Sequence, residues 1–173
     1  MGPPLFCYFI DDIDKIIRVF EEAICQKFAD DTKGAMVVES EEHRDELQRI
    51  LNELEQWAKD WHMEFNVEKC KIMHVGRHNQ RFDYVMARQN LTKVEEEKDL
   101  DIWMSTNLKP SLQCLKAATA ANQVLGQMAR TFHYRTKAVW GRLYVVFVRP
   151  KLEYCSCIRS PWTDADCEVL ERV

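Results

Sequence analysis

The chain has 173 residues, 46% of them hydrophobic and 30% charged, with a formal net charge of −4. Those totals fit one globular domain, or one and a half small ones, and exclude a disordered or fibrous chain. The longest early apolar run, "LFCYFI" (5–10), is too short to span a bilayer and is closed by Asp11 and Asp12, so neither a membrane helix nor a signal peptide is expected.

The opening "LFCYFIDDIDKIIRVF" reads as a helix ending near Asp14, or as a strand and turn. "ICQKF" (24–28) and "AMVV" (35–38) read as two strands joined by "ADDTKG", which puts Asp30 and Asp31 at or near a hairpin tip. A solvated turn tolerates two adjacent aspartates because Asp bonds its own backbone there. A buried hairpin holding both rigidly would instead suit magnesium, a hard cation that prefers oxygen ligands and substrate phosphates.

Ser40 is a candidate N-cap, with Glu41 and Glu42 in the first turn. Leu47, Ile50, Leu51, Leu54, Trp57, Ala58 and Trp61 then recur at helical spacing, predicting one amphipathic helix of about twenty residues. "CKIMHV", "FDYVM" (82–86), "LTKV" (91–94) and "LDIWM" (100–104) read as a small antiparallel set. A helix is expected over about 112–132, with Leu112, Leu115, Ala118, Ala121, Leu125, Met128 and Phe132 on one face, and a second over 136–148, stopping before Pro150. Two short helices are expected around "SPW". The sum is α+β followed by a helical bundle.

Charge is divided unevenly. Residues 1–64 carry 16 acids against 7 bases, while residues 109–153 carry 8 bases against one acid. Such halves can divide labour between a metal site and a phosphate-tracking surface, or can simply be two solvated faces. The remaining constellations are weaker. Gly76 between His74 and His78 argues against a helical metal pair, and Cys155, Cys157 and Cys167 lack zinc-site spacing. Seven cysteines without regular spacing favour a reducing compartment, so cytoplasm or nucleus rather than secretion.

"FADDT" (28–32), the spaced Leu/Trp helix, "MEFNVEKCKIMHVG" (63–76) and "EKDLDIWMS" (97–105) together resemble the palm of reverse transcriptases from non-LTR, LINE-type retrotransposons of the jockey-like branch. "AATAANQVLGQMAR" (117–130), "LYVVFVRPKLEYC" (143–155) and "SPWTDADCEVLERV" (160–173) resemble the thumb and the helices after it. The resemblance implies a partial palm over 1–106 and a helical thumb over 107–173. It implies Asp30 and Asp31 as magnesium ligands of a catalytic box, and Lys69 as the lysine that helps protonate pyrophosphate. It implies a primer grip near 97–105, and contacts to an RNA/DNA template-primer duplex from Lys109, Lys116, Arg130, Arg135, Lys137 and Arg142. Deoxynucleotides would be the second substrate. The opening "GPPLFCYFIDDID" (2–14) resembles the segment that ends a nucleotide-pocket motif and leads to the catalytic hairpin, so the expectation is a fragment without the fingers and without another metal-binding aspartate, inactive by itself. A non-enzymatic nucleic-acid-binding or protein-binding relic is the alternative. Asp101 stands where the family usually has glycine; if φ is positive there, Asp tolerates it better than most residues.

Overall fold

Twenty residues with an apolar stripe and a capped start make the longest element of the first half. In the computed structural model, which describes residues 2–17, 23–133, 136–158 and 160–173, that stripe becomes a helix over Glu41–Asp60. Ser40 is extended and its hydroxyl accepts from the His43 N–H at 3.3 Å. The chain forms two compact units, one ending at Val94 and the other beginning at Glu95.

The first unit opens with two short helices, α1 (Gly2–Phe9) and α2 (Ile13–Ile17), where one helix or a strand and turn was expected. The backbone turns between them at Ile10–Asp12, which lets Ile10, Ile13 and Ile17 all face inward. They meet Ile50, Leu54, Trp57 and Ala58 of the long helix, α3, in the core. Next come β1 (Ile24–Phe28) and β2 (Asp31–Ala35), an antiparallel hairpin. The return strand is therefore "DTKGA" and not "AMVV": Phe28 pairs with Asp31, leaving a two-residue turn. The apolar run 35–38 misleads here because Met36 packs on the core from outside any strand.

After α3, β3 (Lys71–Met73) pairs with β6 (Thr92–Val94), and the pairing is parallel. This corrects the antiparallel expectation. Parallel strands need a crossover of a dozen or more residues, and residues 74–91 supply it. That crossover holds a second hairpin, β4 (Val85–Met86) with β5 (Gln89–Asn90). Gln48 of α3 completes the free edge of β4: its amide donates to the Val85 carbonyl at 2.7 Å and accepts from the Val85 N–H at 2.9 Å. Tyr84, Met86 and Leu91 close the core below it.

The second unit begins with the hairpin β7 (Glu96–Asp99) and β8 (Ile102–Ser105). It packs on α4 (Ser111–Thr131), where the buried Gln113 side chain accepts from the Trp103 N–H at 2.8 Å. The buried face of α4 is Gln113, Cys114, Ala117, Ala118, Ala121 and Met128. Leu115 and Phe132, expected on that face, are exposed. Small side chains let neighbouring helices approach closely, so the alanines and not the leucines mark the contact. The rod that follows runs through α5 (Lys137–Leu143), a π-helical turn (Tyr144–Val148) and α6 (Arg149–Glu153). It does not stop before Pro150, which sits in the first turn of α6, where a missing N–H is tolerated. Residues 154–158 form turns, and one helix, α7 (Asp164–Glu171), follows "SPW". Its buried Asp166 accepts from the Ser111 hydroxyl at 2.9 Å and so ties α7 to the start of α4. Among the described residues no helix is long and apolar enough to cross a membrane.

Candidate active site

Pairing in β1–β2 decides which way each hairpin side chain faces. Cys25 and Lys27 share one face with their partners Gly34 and Thr32. That face is covered: Cys25 is buried, and a Cβ added at Gly34 would meet Ile17 Cδ1 at 4.0 Å. Lys27 Nζ donates to the carbonyls of Ile10 and Asp11, both at 3.1 Å, and pairs with Asp14 Oδ1 at 3.1 Å and Asp11 Oδ1 at 3.5 Å. The Cys25 thiol adds a contact to Asp14 Oδ1 at 3.4 Å. A largely covered lysine thus clamps the hairpin to the α1–α2 corner. The sequence reading missed it; its signal was a lysine two residues from an inward cysteine, opposite a segment with three aspartates.

Ile24, Gln26 and Phe28 occupy the opposite face with Lys33 and Asp31. Here the expectation of a buried hairpin is corrected, since Phe28 is 63% exposed and Asp30 and Asp31 are both exposed. A two-stranded sheet has two faces, and the helices of this unit cover one. Ala29 takes φ = 54° at the first turn position, Asp30 follows, and Asp31 opens β2. Two unit charges 4 Å apart in water repel by about 1 kcal/mol, against about 4 kcal/mol in a half-solvated site. The pair is therefore affordable without a cation, and at the same time it offers carboxylate oxygens, the donor chemistry that magnesium takes. Among the described residues no group of three or more His, Cys, Asp or Glu side chains is placed to hold a metal ion.

Lys69 lies exposed on the turn before β3, its N–H bonded to the Asn66 carbonyl at 3.0 Å. The aspartates and Lys69 belong to separate pairings, since β1–β2 is a sheet of its own and β3 pairs with β6.

In the second unit, the hairpin turn of β7–β8 places Leu100 at φ = 45° and Asp101 at φ = 68°. The positive dihedral at Asp101 is the one glycine would satisfy most easily. The Lys98 ammonium hydrogen-bonded to Asp101 holds its carboxyl below the usual carboxylate range. Of the basic residues, Lys109, Arg130, Lys137 and Arg142 are exposed. Lys116 is half-buried with Nζ 4.6 Å from the Trp103 ring centre, a cation–π contact that holds the charge to its own hairpin. Arg135 lies outside the described residues. Arg130 ends an exposed polar stripe on α4 that also carries Thr119, Asn122, Gln123 and Gln127.

A family model described as reverse transcriptase (RNA-dependent DNA polymerase) matches residues 1–134, which runs from α1 to just beyond α4. No curated protein and no solved structure matches the chain.

Proposed function

We propose a specific role for this chain, which belongs to the reverse transcriptase (RNA-dependent DNA polymerase) family: residues 1–106 act as part of the palm and 107–173 as the thumb of a non-LTR, LINE-type enzyme of the jockey-like branch. The observation that carries this reading is the exposed Asp30–Asp31 pair, the last turn residue and the first of β2, in a hairpin clamped from behind by Lys27. Family membership implies a nucleic-acid template and nucleotides as substrates. The ordered series of stretches that resemble jockey-like elements supports the finer assignment.

Asp30 and Asp31 would hold magnesium through their carboxylate oxygens. When bound there, magnesium supplies Lewis-acid activation of the primer 3′-hydroxyl and charge neutralisation at the phosphates. Lys27 is a positioning residue, because it fixes the strand that leads into the turn and faces away from the pair. Lys69 is the proposed proton donor to pyrophosphate. The exposed cations of the second unit would follow the backbone of an RNA/DNA duplex, with the β7–β8 hairpin holding the primer end.

Two carboxylates fall short of a two-metal site, and no third ligand joins them among the described residues. The chain by itself is expected to extend no primer. Primer extension on poly(rA)/oligo(dT) with magnesium, beside an Asp30→Ala control, tests this. Extension that disappears in the control would overturn the expected inactivity and keep the catalytic role. A second readout is independent of turnover: manganese should broaden the NMR signals around Asp30 and Asp31, and an Asp30→Ala/Asp31→Ala double variant should lose that effect. Equal broadening in the double variant would overturn the metal role.

A further inference from the structure

The run "LYVVFV" (143–148) puts six apolar residues in succession on a helical rod packed against its unit from one side. A rod in that position can bury only about half its circumference, and three or four exposed apolar residues in a row have a functional reason or are a fault. The π-helical turn determines which residues are left out. Its wide turn closes with the Arg149 N–H on the Tyr144 carbonyl, five residues back. Tyr144 and Val148 are drawn inward, Val148 to complete burial, beside Trp140, Leu143 and Leu152. Val145, Val146 and Phe147 are turned out together, at 51, 61 and 51% exposure. π turns of this kind are frequent at functional sites.

The stretch of chain that holds this ridge carries charges of one sign. Between Thr136 and Lys151 there are four Lys/Arg and no Asp/Glu. Lys137 and Arg142 precede the apolar run, with the exposed Val139 between them, while Arg149 and Lys151 follow it. Arg149 is held by Glu153 at 2.6 Å. Among the described residues Lys137 and Arg142 are exposed and make no ion pair, and Lys151 makes none either, though its charge is felt by Asp101.

We propose that this ridge, Val145–Val146–Phe147 with its flanking cations, is a docking surface for an acidic amphipathic helix of a partner protein. The apolar centre needs an apolar counterpart, which a phosphate backbone does not offer. The cations on both sides call for carboxylates in the partner at matching places. A helical ridge is received by the groove between side-chain rows of a second helix. An acyl layer is a poorer fit, since the exposed run covers a single turn, about 5 Å of rise, while helices that lie in membrane interfaces present a far longer apolar face. The three apolar residues have no part in the duplex contacts proposed above, so the two readings can fail separately.

The test uses the full chain and fluorescence anisotropy. The probe is a labelled peptide of about 20 residues, roughly 30 Å as a helix, with Leu at helical spacing and Glu beside it. Comparison probes are the same composition scrambled, a version with Lys in place of Glu, vesicles of phosphatidylcholine with phosphatidylserine, and a labelled RNA/DNA hybrid. The acidic helix should bind at least about tenfold better than the scrambled and Lys peptides. Val146→Asp and Phe147→Asp should each weaken it about tenfold or more with duplex binding unchanged and the circular dichroism of the parent retained; exposure of both side chains makes them safe to change. Arg142→Glu should weaken the acidic peptide and strengthen the Lys version. Equal binding of acidic and scrambled peptides, or peptide binding indifferent to Val146→Asp, overturns the proposal. So does binding to the vesicles, lost in Val146→Asp, in a chain that ignores the acidic peptide, because the face would then be a membrane contact.

Discussion

His74, just past β3, shows how one side chain can set a pH limit. Its ring stacks on Tyr84 with centres 6.3 Å apart, and its Nε2 is buried without a hydrogen-bond partner. Burial lowers its pKa below the ordinary 6.5, and the neighbouring Lys93 and Arg81 push the same way, against weaker opposition from bonds to Asn79 and Phe82. The folded state therefore prefers neutral His74 while the unfolded chain protonates it at the ordinary value. Where the unfolded state binds more protons, stability rises with pH. The contribution is whole above pH 6.5 and is lost as the pH falls through and below it. Asp83, lowered first by its hydrogen bond to Lys93, and Glu55, lowered first by its bond to Lys59, are carboxylates whose contribution is lost only in more acid solution, below their ordinary 3.8 and 4.5. Melting temperature should thus fall between pH 7 and pH 5, and His74→Phe, which keeps the stacked ring, should flatten that fall. An equally steep fall in His74→Phe would show that another group carries it.

Among the elements, three hairpins turn in two residues without a glycine. Ala87 and Arg88 have φ of 47° and 63°, and Leu100 and Asp101 of 45° and 68°, the paired positive dihedrals of type I′ turns, which favour Asn-Gly. A side chain with a Cβ costs about 1–2 kcal/mol in that region. Ala87→Asn with Arg88→Gly should raise the melting temperature, and the Ala87 N–H bond to Glu55 at 3.0 Å is kept because it is made by the backbone. A lower melting temperature would mean that the turn is not strained. Legibility followed locality. The helix Glu41–Asp60 could be read because its periodicity and its Ser40 cap lie within the element, and the Asp30–Asp31 turn because its two strands are adjacent in sequence. Three features could not be read, because tertiary partners decide them. The parallel pairing of β3 with β6 depends on the crossover between them. The end of β1–β2 depends on a two-residue turn and not on the apolar run beyond it. The Lys27 clamp needs the corner between α1 and α2 beside it, and nothing in "ICQKF" announces the carbonyls it reaches.

At the scale of the whole molecule, charge placement matters more than the total. A net −4 would repel a nucleic acid if it were spread evenly, yet residues 109–153 carry eight bases and a single acid. Exposed charges act within a Debye length, about 10 Å at 0.1 M salt, so local cations decide the contact. If Lys109, Arg130, Lys137 and Arg142 each neutralise a phosphate of an RNA/DNA hybrid, the logarithm of the binding constant should fall against the logarithm of salt with a slope of roughly −3 to −4. Arg130, exposed at the end of the polar stripe on α4, should contribute a full share, so Arg130→Ala should reduce the slope by about 0.9. Lys116 should not, because its ammonium is already engaged over the Trp103 ring. Anisotropy titrations of a labelled hybrid at several salt concentrations separate the two. A slope near zero would remove the duplex from the proposed role of the second unit. A loss in Lys116→Ala equal to that in Arg130→Ala would mean that Lys116 leaves Trp103 to reach the backbone, and that the face of α4 used by the duplex is the one turned toward β8.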